Sequence, residues 1–288
     1  MGSIENSKVD NNSSRVYALF YSFFLIPLMI TIFGVLFFFL FKILTYEERD
    51  PYHLLNNIKS GSLTKRWQSA YELSNLMTDT EKIPEDQLFI TQMISMYDNS
   101  VYDDPRVRTY LALAMGQTGN ILFGDVLLKG LDDKDIENRI AAIKSLGSIG
   151  YKPSVKRLNS IVNSKSSTEE RLAAIISLGQ IKDESSLPVL EKMLDDEEAN
   201  IRWDAAISLT KMNSSKGVYI LEKLLVRDYY SNYPNVDENE INNSILTILA
   251  IVSKYYFENF KDELVELSQN DRNIKIREFS MRILSEHD

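Results

Sequence analysis

Five arginines at regular spacing are the residues whose type and repetition most suggest a chemical role: Arg66, Arg108, Arg139, Arg171 and Arg202. A row of guanidinium groups could bind a row of anions, because arginine donates paired hydrogen bonds to carboxylates and phosphates. The alternative is that each arginine bonds to a carboxylate of the protein itself and holds the fold together. The surrounding pattern decides between the two.

Groups that usually carry catalysis or bind metals are scarce. Cysteine is absent, which excludes disulfides, thiolate metal sites and cysteine nucleophiles. His53 and His287 supply the imidazoles, and they lie too far apart along the chain for a paired metal site to be expected. No Ser-His-Asp grouping, phosphate loop or histidine-carboxylate spacing is found. We therefore predict no catalytic, cofactor-binding or metal-binding residue, and a protein that is not an enzyme.

The formal charge of −9 argues against one class of partner. Three of the 32 basic residues and two of the 41 acidic residues precede Thr45, so the chain from Thr45 onward carries −10. An acidic surface repels phosphate backbones, and no cluster of basic and aromatic residues offsets the charge. We expect no binding to nucleic acid.

The segment from Val16 to Phe41 contains 26 residues without a charge. A helix of about 20 residues crosses the hydrocarbon layer of a bilayer, which is about 30 Å thick. We predict a transmembrane helix over residues 16–44, behind a polar, disordered tail over residues 1–15. A buried core helix is disfavoured by the length of the apolar run, and a cleaved signal peptide by the absence of a small-residue cleavage motif. Lys42, Arg49 and Lys59 outnumber the basic residues before the span, which favours a cytoplasmic location for the rest of the chain.

A sequence motif recurs after the membrane segment. It consists of an arginine, a small residue three or four places after it, a Leu or Met seven places after it, and a Gly, Ser or Thr eight places after it. It starts at the five arginines named above, which are 42, 31, 32 and 31 residues apart, with looser copies near Asn243 and at Arg277. This period is typical of helical hairpins stacked into a solenoid. We predict an all-α fold, with one transmembrane helix followed by a right-handed superhelix of about six to seven hairpins.

The residues inside each copy fit that interpretation. Acidic residues or serines, such as Asp104 before Pro105, precede the first helix of a copy and can cap it. Paired alanines, Ala141-Ala142, Ala173-Ala174 and Ala205-Ala206, would let neighbouring helices approach closely. Gly116, Gly147 and Gly179 are expected to end these helices in the left-handed conformation.

The Arg-x-Ala-Ala-x-x-x-Leu-Gly cores at Arg139 and Arg171, and the Asp-Asp-Pro-Arg-Val-Arg run before Gly116, resemble HEAT repeats of the short bacterial type, which also occur in phycocyanobilin lyases. The resemblance covers residues 62–288. It implies that first helices form a convex side, that second helices form a concave side that grips a protein partner, and that the five arginines pair with carboxylates of adjoining repeats. Residues 45–61 are then a juxtamembrane link and a helix that caps the solenoid. The repeat type and composition also indicate a bacterial source, hence the inner membrane.

Two local features could mark a binding surface. Trp67 and Trp203 follow their arginines where Ile140 and Leu172 lie in other copies, which favours a place in the core over an exposed contact. An insertion from Arg227 to Asn243 is predicted to be a loop. Its tyrosines and acidic residues are candidates for partner binding, although a tolerated insertion is the simpler alternative. The candidates are Tyr229, Tyr230, Tyr233, Asp237 and Glu238.

The predicted function is that of a single-pass membrane-anchored adaptor that binds a protein partner at the membrane. One form of this hypothesis is that the chain is a subunit of an integral membrane complex. It rests on the short tether, the repeat surface and the absence of a catalytic grouping. A role at the lipid surface is one alternative, although no polybasic patch supports it. An enzyme of the bilin-lyase kind is the other, although the repeat pattern by itself carries no chemistry.

Overall fold

The computed structural model describes residues 20–44, 50–233 and 236–287. The predicted tail, residues 16–19 of the predicted anchor, most of the juxtamembrane link and Pro234 lie outside the described residues. Every regular element in the described part of the chain is helical, so the predicted all-α class is confirmed. The chain divides into two compact units between Arg49 and Asp50.

The N-terminal unit contains one long apolar helix. A π-helical segment, Tyr21–Leu25, continues into helix α1, Ile26–Leu44. The wider π turns stand just before Pro27, whose ring removes one backbone donor from the helical ladder. The 24 residues from Tyr21 to Leu44 form a helix long and apolar enough to cross a membrane, and none of them is buried against the protein. A helix of this kind serves either as an anchor or as a signal sequence.

The second unit is built from helical hairpins. Its α-helices, within the residues described, are α2 (Pro51–Ser60), α3 (Leu63–Leu76), α4 (Gln87–Asn99), α5 (Pro105–Gln117), α6 (Gly124–Gly130), α7 (Ile136–Ser148), α8 (Val155–Asn163), α9 (Thr168–Ile181), α10 (Leu187–Lys192), α11 (Ala199–Lys211), α12 (Val218–Leu225), α13 (Glu238–Val252), α14 (Lys261–Asn270) and α15 (Ile274–His287). The pairs α3/α4 to α13/α14 form six hairpins, α2 packs on α3 before them, and α15 follows them. The odd-numbered first helices stack on one another in succession.

Helix starts follow capping chemistry, with shifts from the predicted positions. Asp104 accepts a hydrogen bond from Arg106 N ahead of Pro105, and Ser167 forms a capping box with Glu170. Helix α7 is capped by Asp135, whose side chain accepts a hydrogen bond from Asn138 N. Helix α11 begins at Ala199 without a side-chain cap. These local signals located each first helix to within a few residues.

The predicted role of Gly116, Gly147 and Gly179 is wrong. All three lie inside α5, α7 and α9, in right-handed helix. The left-handed conformation occurs three residues after these glycines, at Gly119, Gly150 and Lys182, and in the next copy at Asn213. The three helical glycines are small because the next first helix passes against them. A Cβ at Gly179 would lie 2.5 Å from Ser208 Oγ and 2.9 Å from Ser208 Cα.

A serine on the next helix fills the space over each of these glycines and bonds across the interface. Ser145 donates to Ala112 O at 2.8 Å, Ser177 to Ile143 O at 2.9 Å, and Ser208 to Ile175 O at 3.0 Å. All three serines are buried. The regular interfaces are therefore close-packed helix pairs, each with the same glycine-serine contact.

Candidate functional site

The repeated arginines join successive repeats. Arg108 Nε donates to Asp133 Oδ2 at 2.8 Å, and its Nη1 donates to Tyr97 O at 2.8 Å. Its guanidinium carbon also lies 4.4 Å from the centre of the Tyr97 ring. Tyr97 belongs to the preceding second helix and Asp133 precedes the next first helix. One side chain thus ties three segments together.

Other copies reproduce this arrangement. The ion pairs are Arg66 with Asp103, Arg139 with Glu170, and Arg171 with Asp196. The hydrogen bond from Arg139 holds the pKa of Glu170 below its usual range. Because these guanidinium groups already have carboxylate and carbonyl partners, the structure does not present them as an open row for anionic ligands.

The pattern changes at Arg202, where an insertion follows the repeat. Arg202 donates to the carbonyls of Asp196 and Glu197, at 2.7 and 2.9 Å, and has no carboxylate partner among the described residues. The inserted segment supplies a different arginine to the next junction. Arg227 makes two hydrogen bonds to Asp271, at 2.7 and 2.9 Å. An arginine outside the repeat register therefore performs the joining role for the last two first helices.

The acidic candidates in the insertion are structural. The segment is not a loop as far as Asn243, because helix α13 begins at Glu238. Asp237 caps that helix and forms a capping box with Glu240. Glu238 pairs with Arg227 at 3.0 Å and also with Arg272. These carboxylates hold the start of α13, and the run of acidic residues is the signal of a helix start.

The three candidate tyrosines separate into one buried and two partly exposed side chains. Tyr230 is buried, and its hydroxyl donates to Leu224 O at 2.8 Å. Tyr229 and Tyr233 pack on Trp203, with ring centres 6.4 and 5.1 Å from the indole. Their hydroxyls lie 3.1 Å apart, and Trp203 Nε1 lies 3.3 Å from that of Tyr229. Only Tyr229 and Tyr233 of the five predicted residues present an aromatic surface.

A line of large apolar side chains crosses the outward face of five stacked first helices, which we call the apolar band. Its members stand one, two or five positions after the repeat arginines and are half-buried or exposed rather than buried. Trp67 and Trp203 belong to it, so their equivalence to Ile140 and Leu172 holds, but the shared position lies at the surface and only packs against the core. The band consists of Trp67, Tyr71, Tyr110, Leu113, Ile140, Leu172, Ile176, Trp203 and Ile207.

The band ends at a gap in the stack. First helices pack along their length from α3 to α11, whereas α11 and α13 touch at only a few positions. A cavity of about 380 Å³ lies between them. It is lined from α11 by Asn200, Trp203, Asp204 and Ile207, with further walls from α9, α12, α13 and Tyr230.

Asp204 stands where the two preceding copies have alanine, Ala141 and Ala173. The interface serines, Ser177 and Ser208, align the fifth copy with the fourth. This alignment places Asp204, two residues after Arg202, at the position of buried Ala173. The alanine pair of this copy, Ala205-Ala206, is therefore one residue out of the predicted register. Burial raises the pKa of Asp204 to about 6, although Lys211 partly opposes the shift. No hydrogen bond or ion pair joins Asp204 to the residues that the structure describes.

Comparison with known proteins agrees with this geometry. Residues 155–232 match the family described as HEAT repeats. The structure of the complex of CpcE and CpcF of phycocyanin lyase from Nostoc sp. PCC7120 is similar with a TM-score of 0.59 and 16% identity, over 85% of this chain and 90% of that chain. A computationally designed armadillo repeat protein for modular peptide recognition aligns over 81% of this chain and 98% of its own, with 16% identity and a TM-score of 0.37. No curated protein matches the chain significantly. The residues from the first hairpin onward form a HEAT-like solenoid, and the chain is a HEAT-like repeat protein.

Proposed function

We propose that this chain is a non-enzymatic, membrane-anchored adaptor whose solenoid binds a protein partner along the apolar band. The apolar band is the observation that carries the proposal. Tyr71 and Ile176 are 47% and 38% exposed, and each first helix between them contributes at least one half-buried apolar side chain, with Lys144 as the one charged residue within the band. Exposed apolar side chains grouped on one face mark interaction sites, and aromatic residues are enriched in protein interfaces.

The apolar helix at the N-terminus supports the membrane part of the proposal. None of its side chains from Tyr21 to Leu44 is buried within the protein, and a bilayer would supply the apolar surroundings. We propose that this helix is an uncleaved anchor in a bacterial inner membrane and that the solenoid is cytoplasmic, with the basic residues after the span favouring that side.

Site-specific photocrosslinking in cells tests the adaptor role. A photoreactive residue at Ile176, in the apolar band, is compared with one at Lys156, which is exposed on the second helix α8. We expect a discrete protein adduct from Ile176 and none from Lys156. Equal adducts at both positions would remove the band from the proposal, and lipid adducts alone would favour a role at the membrane surface.

Single-cysteine labelling tests the topology, because the native chain has no cysteine to react. Tyr102 is 99% exposed, so Tyr102→Cys places a thiol on the solenoid surface without disturbing its packing. A membrane-impermeant maleimide should label this variant only after the cells are lysed. Labelling in intact cells would place the solenoid outside the cytoplasm, and release of the protein by carbonate would argue against an integral anchor.

A further inference from the structure

We propose that the cavity between α11 and α13 receives the charged end of a lysine or arginine side chain of the protein partner, with Asp204 as its counter-ion. This inference rests on the proposed adaptor function and names the chemistry of the partner. It arises because this copy has a carboxylate at the position where the copies at Arg139 and Arg171 have alanine.

The first argument is charge. Asp204 is the one carboxylate among the residues that line the cavity, and no basic residue is among them. Lys211, two turns further along α11, attracts Asp204 but forms no ion pair with it in the described structure. A half-buried carboxylate without a partner carries a desolvation cost, and a positive charge brought within a few ångströms would offset it.

The second argument is the shape and chemistry of the walls. Asn200, Asn243, Ser244 and Thr247 line the cavity, and their side chains contain oxygens of the kind that accept hydrogen bonds from an ammonium or guanidinium group. Trp203 adds an aromatic ring, a surface that attracts cations. A volume of about 380 Å³ falls within the range of ligand pockets, about 300–1,000 Å³.

The third argument is position. Leu172, Trp203 and Ile207 belong both to the apolar band and to the cavity wall. A partner that lies along the band therefore passes the mouth of the cavity and can insert a side chain into it. This continuity favours a side chain of the partner over a free cation. Apolar contacts would supply area, and the buried ion pair would supply specificity.

A binding experiment tests the charge preference. The full-length protein in detergent micelles carries Trp67→Phe, so that Trp203 is the remaining tryptophan and reports on the cavity by fluorescence. The probes are N-acetyl-arginine amide and N-acetyl-lysine amide, with N-acetyl-citrulline amide as the uncharged match for arginine. We expect saturable binding of the charged probes. The citrulline probe should bind at least about tenfold more weakly than the arginine probe. Equal responses to arginine and citrulline would overturn the proposal, as would the absence of any saturable response.

Two variants of the same residue assign the effect. Asp204→Asn keeps the size and removes the charge. Asp204→Ala introduces the residue that the copies at Arg139 and Arg171 have at this position. Both should weaken binding of the charged probes about tenfold or more. Because both variants remove a half-buried charge that has no partner among the described residues, they should fold at least as well as the wild type, and circular dichroism checks this. Unchanged binding in the two variants would exclude Asp204 as the counter-ion.

Crosslinking in cells separates this inference from the proposed function. A photoreactive residue at Asn200, exposed beside the cavity, should link to a partner peptide that contains Lys or Arg next to the linked residue. Asp204→Asn should reduce that adduct about tenfold while the Ile176 adduct persists. If both adducts persist, the cavity inference is wrong and the adaptor function stands. If Ile176 yields no protein adduct in the wild type, the adaptor function itself fails. Probe binding without a protein adduct at Asn200 would instead assign the cavity to a free cation.

Discussion

The interface between α9 and α11 and the gap between α11 and α13 use the same repeat positions with opposite results. In the first, Gly179 and Ala173 leave room for the next helix, and Ser208 bonds across to Ile175 O at 3.0 Å. In the second, Thr210 and Asp204 occupy the corresponding positions, and the helices separate around a cavity. Small residues therefore close one interface, while larger polar ones accompany an opening. The comparison indicates that the junction between α11 and α13 is more loosely packed than the one before it.

The largest expected effect comes from filling the closed interface. Gly179→Val would place carbon atoms within 3 Å of Ser208, so we expect the free energy of unfolding to fall by about 3 kcal/mol or more. Urea unfolding of the purified full-length protein measures this. Thr210→Val is the matched control at the same repeat position. Its hydroxyl is buried without a partner among the described residues, so this variant should be neutral or more stable by about 1 kcal/mol. Similar losses in both variants would contradict the comparison.

The next effect depends on pH and belongs to the open junction. The pKa of Asp204 rises from 3.8 to about 6 on folding, a difference of about two units or about 3 kcal/mol. The folded protein holds this proton more tightly, so its contribution to stability is present below pH 4 and is lost as the pH rises through 6. We expect Asp204→Asn to be more stable than the wild type by about 2 kcal/mol at pH 8, with little difference at pH 4. Unfolding across this range checks the sign, and a constant difference at all pH values would exclude titration of Asp204 as the cause.

A smaller loss is expected from cutting one arginine link in the closed part of the array. Asp133→Ala removes the carboxylate that pairs with Arg108, whose side chain is only 10% exposed, and should cost about 2 kcal/mol. Asp98→Ala removes an exposed pair with Lys129 and should cost less than about 0.5 kcal/mol. Thermal unfolding of the two variants gives the contrast. Equal costs would show that the buried link adds no more than a surface pair.

The smallest effect concerns the aromatic cover of Trp203 beside the open junction. Tyr233→Phe removes the hydroxyl that lies 3.1 Å from that of Tyr229 and keeps the ring contact with Trp203. We expect a loss of about 0.5–1 kcal/mol. Tyr102→Phe, at a side chain 99% exposed, is the control and should not change stability. A loss as large as that of Asp133→Ala would mean that the tyrosine pair contributes more to stability than its single hydrogen bond indicates.

Local signals were sufficient to predict the helical hairpins and most helix starts. The repeat motif that begins with arginine recurs because each copy must bury the same helix face. Capping residues such as Asp104 and Ser167 act within one helical turn. The role of Gly147 could not be predicted in this way. A glycine near a helix end has two physical uses, left-handed backbone or close helix approach, and the second depends on Ser177 from the following repeat.

The candidate site was predictable only in part. Tyr229 and Tyr233 were found from an unusual insertion, but the band could not be located, because a residue such as Trp67 packs on the core while keeping an exposed edge. Asp204 was missed for a different reason. The alanine pair that follows it suggests the same register as earlier copies, and only the alignment of Ser208 with Ser177 across the stack shows the shift of one residue.

The amino-acid sequence by itself determined that this chain has one long apolar helix followed by a stack of helical hairpins, because periodic burial and capping are local consequences of residue type. Tertiary structure alone decided which first helices touch and which stand apart. The contact between Gly179 and Ser208, and the open space beside Asp204, depend on the position of a helix from another repeat. The position of each helix follows from the packing of the whole array, including the inserted segment that carries Arg227. The sequence of a single repeat does not determine it.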